Sequence, residues 1–288
     1  MVFEFAKLFP CHALSGCVAH AFIEMRPSTL QERRDFYSHE FDTYALRRWI
    51  GDRSRHLKFA MVMGRHTGIV LESRAANKDD VVVIDTWRSV RDLRQYALSY
   101  LPESMYYDRN RYEDVSACAG CDKGRTACMR CYNFSGQQLA FDLDPENVDC
   151  PYHGHIGDKM SEGRGLSLCM YEFKRLRIQT VELVRQLSED YSEISVVYSG
   201  RGFHVVVDDE EAYQLSRRQR ERLAEMTARR FAIDEWVTSG ESRLMRLPGS
   251  LNGLVSRKCV VMKGDLRDLL GFDPRTSREV IPAFMGSA

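Results

Sequence analysis

Apolar positions recur at helical spacing through Phe173, Leu176, Leu183 and Leu187, with Thr180 on the same stripe, so the stretch from Cys169 to Asp190 predicts an amphipathic helix. Similar patterns predict helices over 29–50, 90–99 and 210–230, and Thr29 with Glu32 forms a capping box for the first. Short β-branched and aromatic runs predict strands at 59–63, 81–84, 139–144, 194–198, 203–207 and 260–262. No internal repeat, low-complexity tract or evident linker interrupts the pattern. With 44% hydrophobic residues over 288 positions and no long apolar run, the chain is expected to fold as a soluble globular protein around a substantial core.

Three of these elements carry acids or phosphate donors. In the strand ending Phe141-Asp142-Leu143-Asp144, the acids are two apart and share a face. Two carboxylates held that close raise each other's pKa and favour a hard divalent cation between them. Ser199-Gly200-Arg201-Gly202-Phe203-His204 lies between two β-branched runs and predicts a tight turn whose hydroxyl, guanidinium and imidazole can each donate to a phosphate oxygen. Its glycines would let the backbone approach a ligand closely. A third piece, Ile233-Asp234 followed by Arg243, Arg246 and a Pro-Gly turn running to Asn252, adds another acid and more cations. Each motif alone has a structural reading: solvated acids, a plain hairpin, a core histidine. Their combination supplies the parts of a two-metal phosphoryl-transfer site.

In this order and spacing the motifs resemble the archaeo-eukaryotic primase superfamily, and within it the small catalytic subunit of DNA primase. The resemblance extends to Arg33–Phe41, Trp87–Arg94 and Met105–Tyr112, and so covers most of the chain. It implies an α/β (α+β) fold of two lobes, with an RRM-like antiparallel catalytic sheet and a zinc-binding insertion, in a single catalytic domain over 1–288 whose zinc elements lie near 115–170. It implies that Asp142, Asp144 and Asp234 hold two Mg²⁺ or Mn²⁺ ions. By the same resemblance Ser199, Arg201 and His204 grip the incoming triphosphate, Arg246 and Asn252 fill further nucleotide-binding positions, and Arg74 matches a basic residue near the nucleotide or the growing strand. There are two departures from the family pattern. The Ser-to-His turn is one residue shorter than in many relatives, and Asn252 stands where His is usual, so that position can donate a hydrogen bond but carries no charge.

The chain has nine cysteines, four of them spaced as Cys118-x2-Cys121-x6-Cys128-x2-Cys131. Paired Cys-x2-Cys units suit tetrahedral Zn²⁺, and disulfides are the rival reading. The chain opens without a signal-peptide pattern and is large enough for its own core, so structural zinc is expected. Cys150, His153 and Cys169 stand where relatives place a zinc knuckle, but its penultimate cysteine is missing here. Either a second ion is completed by a cysteine of the first cluster, or these are buried thiols. Cys11, Cys17 and Cys259 read as ordinary small buried residues.

Formal net charge is zero, so nucleic-acid binding would have to come from local patches. The densest basic run, Arg217 to Arg222 with Arg229 and Arg230, reads as a solvated helix face, with template contact as the alternative. The expected function is primer synthesis on single-stranded DNA from nucleoside triphosphates, with a primase large subunit as partner, inside the cell and away from membranes. A repair or translesion primase-polymerase of the same superfamily would use the same residues. A non-catalytic zinc-dependent nucleic-acid module would leave the three acids without a reason.

Overall fold

The computed structural model describes residues 22–23, 25–64, 81–84, 87–118, 131–161, 163, 165–240 and 244–286. It is a mixed α/β structure built on antiparallel sheets. In the first sheet the strands lie in the order Val260–Val261, Ile194–Tyr198, Phe203–Val207, Leu139–Leu143. The second orders Arg257–Lys258, Leu251–Asn252, Ser104–Asp108, Phe59–Val62 and Val81–Ile84, with Leu244–Arg246 also pairing Ser104–Asp108.

Alternation along the strands assigns the faces of the first sheet. Leu139, Phe141 and Leu143, with Phe203, Val205 and Val207, pack in one core with Phe173, Leu176 and Leu183 of the helix Met170–Leu187. Each such buried side chain contributes about 1.5–3 kcal/mol, so this helix and sheet form a firm base. On the opposite face, Ala140 and Val206 join a second core with Phe59, Met61, Met105, Tyr107, Met245 and Leu247, roofed by the helices Leu30–His39, Thr43–Ile50 and Val90–Tyr100. Asp142 and His204 share that second face and sit directly opposite each other across the two strands. The sheet thus carries apolar residues into the core and turns polar where it reaches a cleft.

Most predicted elements form within a few residues of their expected ends, and the Thr29–Glu32 capping box is present, with Glu32 N–H donating to Thr29 Oγ1 at 3.2 Å. Two predicted helices are each divided. The 29–50 stretch breaks because Asp42 caps a new helix, its carboxylate accepting from the N–H groups of Tyr44 and Ala45. The 210–230 stretch breaks into Glu210–Tyr213 and Arg217–Ala228, the second capped by Ser216 with Gln219. The strand expected over 139–144 stops at Leu143, because Asp144 caps a 3₁₀ turn with Pro145 in its first position. Among the described residues no helix is long and apolar enough to cross a membrane.

Candidate active site

The hairpin between Ile194–Tyr198 and Phe203–Val207 is closed by Ser199 N–H donating to Gly202 O at 3.0 Å and Gly202 N–H donating to Ser199 Oγ at 3.2 Å. Gly200 adopts φ +105°, where a side chain would be strained. A Cβ on Gly202 would lie 2.1 Å from Leu143 O, and one on Gly200 would lie 2.8 Å from the Asn252 side chain. The two glycines therefore let the turn press against the Asp-x-Asp strand and against Asn252. Their close approach is to protein, where the sequence suggested a ligand.

That packing gathers the polar groups. A cleft of about 510 Å³ is lined by Asp142, Asp144, Ser199, Arg201, His204, Arg246 and Asn252, together with Met25, Met160, Leu254 and other apolar residues. Asp234 joins from its own segment: its N–H donates to Asp142 O at 2.8 Å, and Ile233 bridges Leu143. Its carboxylate accepts from Trp236 N–H at 2.9 Å and so caps the short helix Glu235–Thr238. An acid some ninety residues further along the chain thus adjoins the Asp142-x-Asp144 pair at the end of their strand. Arg74 lies outside the described residues, as do Arg243, Cys11 and Cys17.

The electrostatics centre on Asp142. Its Oδ1 is sealed from solvent and has no hydrogen-bond partner, with His204 Nε2 at 3.6 Å. Burial, followed by the carboxylates of Asp144 and Asp234, pushes its pKa up to about 8. Burial and then the charges of Arg246 and Arg109 push His204 down to about 3, so its imidazole is neutral at physiological pH. Arg201 Nη2 donates to Asp144 Oδ1 at 2.7 Å and to Glu146, while Nη1 donates to Gly165 O at 3.0 Å. Burial alone would lower the Arg201 pKa, but the two carboxylates outweigh it and hold the guanidinium above its ordinary value. Arg246 donates to Ser104 Oγ and lies over the Tyr106 ring at 5.1 Å. Asn252 Nδ2 donates to Ser199 O at 3.0 Å, and its Oδ1 is buried without a partner.

No family model matches the chain. A relative from Archaeoglobus fulgidus, described as an uncharacterized DNA primase small subunit-like protein, is 49% identical over 267 residues, spanning 92% of this chain and 93% of that protein. The chain belongs to the DNA primase small subunit-like family. The resemblance carried by Asp142-x-Asp144, the Ser199–His204 turn and the segment ending at Asn252 is thereby borne out. The DNA primase small subunits PriS of Thermococcus onnurineus and Pyrococcus furiosus are each 27% identical over 198 and 199 residues, or 69% of this chain. The chain matches about half the length of these PriS relatives, 49% and 48%. Among solved structures, the polymerase domain of Mycobacterium tuberculosis Ligase D in complex with DNA aligns with a TM-score of 0.46 and 14% identity, covering 90% of this chain and 96% of that one.

In this primase-like chain several supporting residues escaped the motif pattern. Ser104 and Tyr106 hold Arg246, and Glu146 shares Arg201. Arg109, 1% exposed, donates to Gln138 O at 2.8 Å and Val237 O at 2.6 Å, bracing the foot of the Asp142 strand against the helix that Asp234 caps. No local periodicity marks these residues, because their partners lie in other elements.

A second cluster sits beside the cleft. The ligand atoms of Cys150, His153, Cys169 and Glu172 all lie within 4.8 Å of one another. Cys150 Sγ is 3.4 Å from His153 Nδ1 and 3.6 Å from Cys169 Sγ. Glu172, absent from the sequence expectation, accepts from the buried Lys159 Nζ at 2.7 Å and from Cys169 N–H at 3.2 Å. Burial pushes the Cys169 thiol up to about 12. Cys118 and Cys131 form no disulfide among the described residues, and Asn133 Nδ2 donates to Cys118 Sγ at 3.2 Å. Cys121 and Cys128 lie outside the described residues. Cys259 is fully buried, as expected.

Proposed function

We propose that this chain is the catalytic subunit of a DNA primase, making short oligonucleotide primers from nucleoside triphosphates on single-stranded DNA. The reaction is in-line attack of a 3′-hydroxyl on the α-phosphate, with pyrophosphate leaving. The observation that carries the reading is the meeting of Asp142 and Asp144 with Ser199, Arg201, His204 and Arg246 at one cleft, with Asp234 joined to the same strand through its N–H to Asp142 O.

The acids suit hard divalent cations. A sealed, unpartnered Asp142 oxygen beside two further carboxylates is an oxygen-rich donor set in need of positive charge. Asp142, Asp144 and Asp234 would therefore hold two Mg²⁺ or Mn²⁺ ions. Such ions, when bound, lower the pKa of an attacking hydroxyl and neutralise charge on leaving phosphates. The remaining groups bind and orient. Arg246 offers permanent charge fixed by Ser104 and Tyr106, and neutral His204 offers a hydrogen bond without charge. Ser199 and Arg201 would meet the triphosphate from the hairpin, whose backbone Asn252 fixes through Ser199 O.

Cys150, His153 and Cys169 would hold a structural zinc close to the cleft, with Glu172 within reach as a fourth donor. A second zinc on Cys118, Cys121, Cys128 and Cys131 completes the 115–170 insertion of a single catalytic domain. Arg74 would approach the nucleotide, and a large subunit would supply initiation and template handling during replication inside the cell.

The test is incubation of the purified chain with single-stranded DNA, Mg²⁺ or Mn²⁺ and labelled nucleoside triphosphates, without primer. Short labelled oligomers, absent with Asp142→Ala, Asp144→Ala, are expected. Extension of a supplied primer without unprimed synthesis would move the assignment to a primer-extending polymerase, and neither product would sink the catalytic reading.

A further inference from the structure

The helix Arg217–Ala228 is two-faced in charge as well as in burial. Arg220, Ala224 and Thr227 point inward. Arg220, fully buried, donates to Gln137 O, to Ala212 O at 2.8 Å and to Leu215 O at 3.1 Å, which ties the helix to the residues immediately before the Asp142 strand. On the outer face Arg218, Arg222, Met226 and Arg229 fall at i, i+4, i+8 and i+11 and are all exposed, Met226 by 59%. The side chains of the three arginines in that row have no ion-pair or hydrogen-bond partner among the described residues, unlike those of their neighbours Arg217, paired with Glu221, and Arg230, paired with Gln186. Glu225 lies among them, and the ridge remains net positive.

The ridge leads to the acids. Its C-terminal end runs through Phe231 and Ile233, both buried, directly into Asp234, and the helix packs against the short Glu235–Thr238 helix. Trp236 on that helix is 68% exposed, yet its own N–H is bonded to the Asp234 carboxylate. Exposing so large an apolar ring next to the Asp234 carboxylate is costly unless something covers it. Val237 and Thr238 are buried, and Arg109 grips Val237 O, so the indole is carried on a fixed turn.

Resting on the primase reading, we propose that Arg218, Arg222 and Arg229 form a track for the phosphates of single-stranded DNA, and that Trp236 is the platform on which one of its bases stacks beside the catalytic acids. In a chain of zero net charge, a row of unpaired arginines ending at an exposed indole matches the two things a single strand offers at every nucleotide: a negative backbone and an aromatic face. An ordinary solvated helix face would need neither the indole nor the rigid tether to the Asp142 strand.

The test is fluorescence anisotropy of a labelled oligothymidylate with the full chain, across a potassium chloride series. Each phosphate contact on a single strand contributes about 0.7 to the slope of log affinity against log salt. The triple variant Arg218→Ala, Arg222→Ala, Arg229→Ala should therefore flatten the slope by about 2. Trp236→Ala should weaken binding about tenfold at every salt without changing the slope, and Trp236→Phe should restore most of the loss. All these side chains are exposed, so the thermal unfolding transition serves as a control that should not move. Unchanged slope and affinity in the triple variant, or no binding by the wild type, would overturn the proposal. Asp142→Asn separates the two ideas: if it binds DNA with the wild-type slope but the wild type makes no oligomers, the track stands and the primase reading fails.

Discussion

Asp142 shows how a residue proposed to hold a metal ion burdens its own fold. It is half-buried opposite His204, with two further carboxylates near it and one sealed oxygen that has no partner. Its folded pKa of about 8 lies above the ordinary 3.8, so the folded state binds the extra proton, and ionisation costs stability as pH rises between those values. In chelator-treated protein, Asp142→Asn should therefore stabilise by about 1–2 kcal/mol above pH 8, with the gain fading below pH 4. Urea unfolding across that pH range measures it, and a destabilised variant at high pH would contradict the picture. The acids, Ser199, Arg201, His204 and Arg246 were legible because each belongs to a short motif. Ser104, Glu146, Arg109 and Glu172 were not, since a single serine, arginine or glutamate outside a motif gives no sign of what another element brings to meet it.

At the scale of elements, caps and anchors differ in what they contribute. Thr29 caps an exposed helix start, so Thr29→Ala should cost about 1 kcal/mol in denaturant unfolding. Arg220 satisfies carbonyls inside the molecule, and Arg220→Met leaves Ala212 O, Leu215 O and Gln137 O short of a donor; a loss of about 3 kcal/mol or more is expected by the same measurement. The apolar pattern foretold the strands Val81–Ile84, Ile194–Tyr198 and Phe203–Val207 to the residue. It did not reveal Ser104–Asp108, the strand to which Phe59–Val62, Leu244–Arg246 and Leu251–Asn252 all pair, because Ser-Met-Tyr-Tyr-Asp has polar ends and no sustained alternation. The helix breaks at Asp42 and Ser216 had visible cap residues, but the helical periodicity running past them masked the signal.

Across the whole molecule, two cores share one sheet, and the site opens where that sheet's second face passes from Ala140 and Val206 to Asp142 and His204. The Cys150 cluster braces the segment on the far side of the cleft, which Gly165 joins to Arg201. If that cluster holds zinc, Cys150→Ser with Cys169→Ser should lower the zinc content measured by atomic emission by one ion per chain, and an unchanged content would assign the zinc elsewhere or nowhere. The family was readable from the order of the motifs, whereas the support beneath them appeared only in three dimensions. Pyrophosphate release tests the proposed nucleotidyl transfer at Asp142, Asp144 and Asp234 most directly, whether the strand is started or extended. With single-stranded DNA, a primer, nucleoside triphosphates and Mn²⁺, the wild type should release pyrophosphate in step with incorporation, while Asp142→Asn, Asp144→Asn and Asp234→Asn should each fall to background; undiminished release from any of the three, or release of inorganic phosphate in its place, would contradict the account.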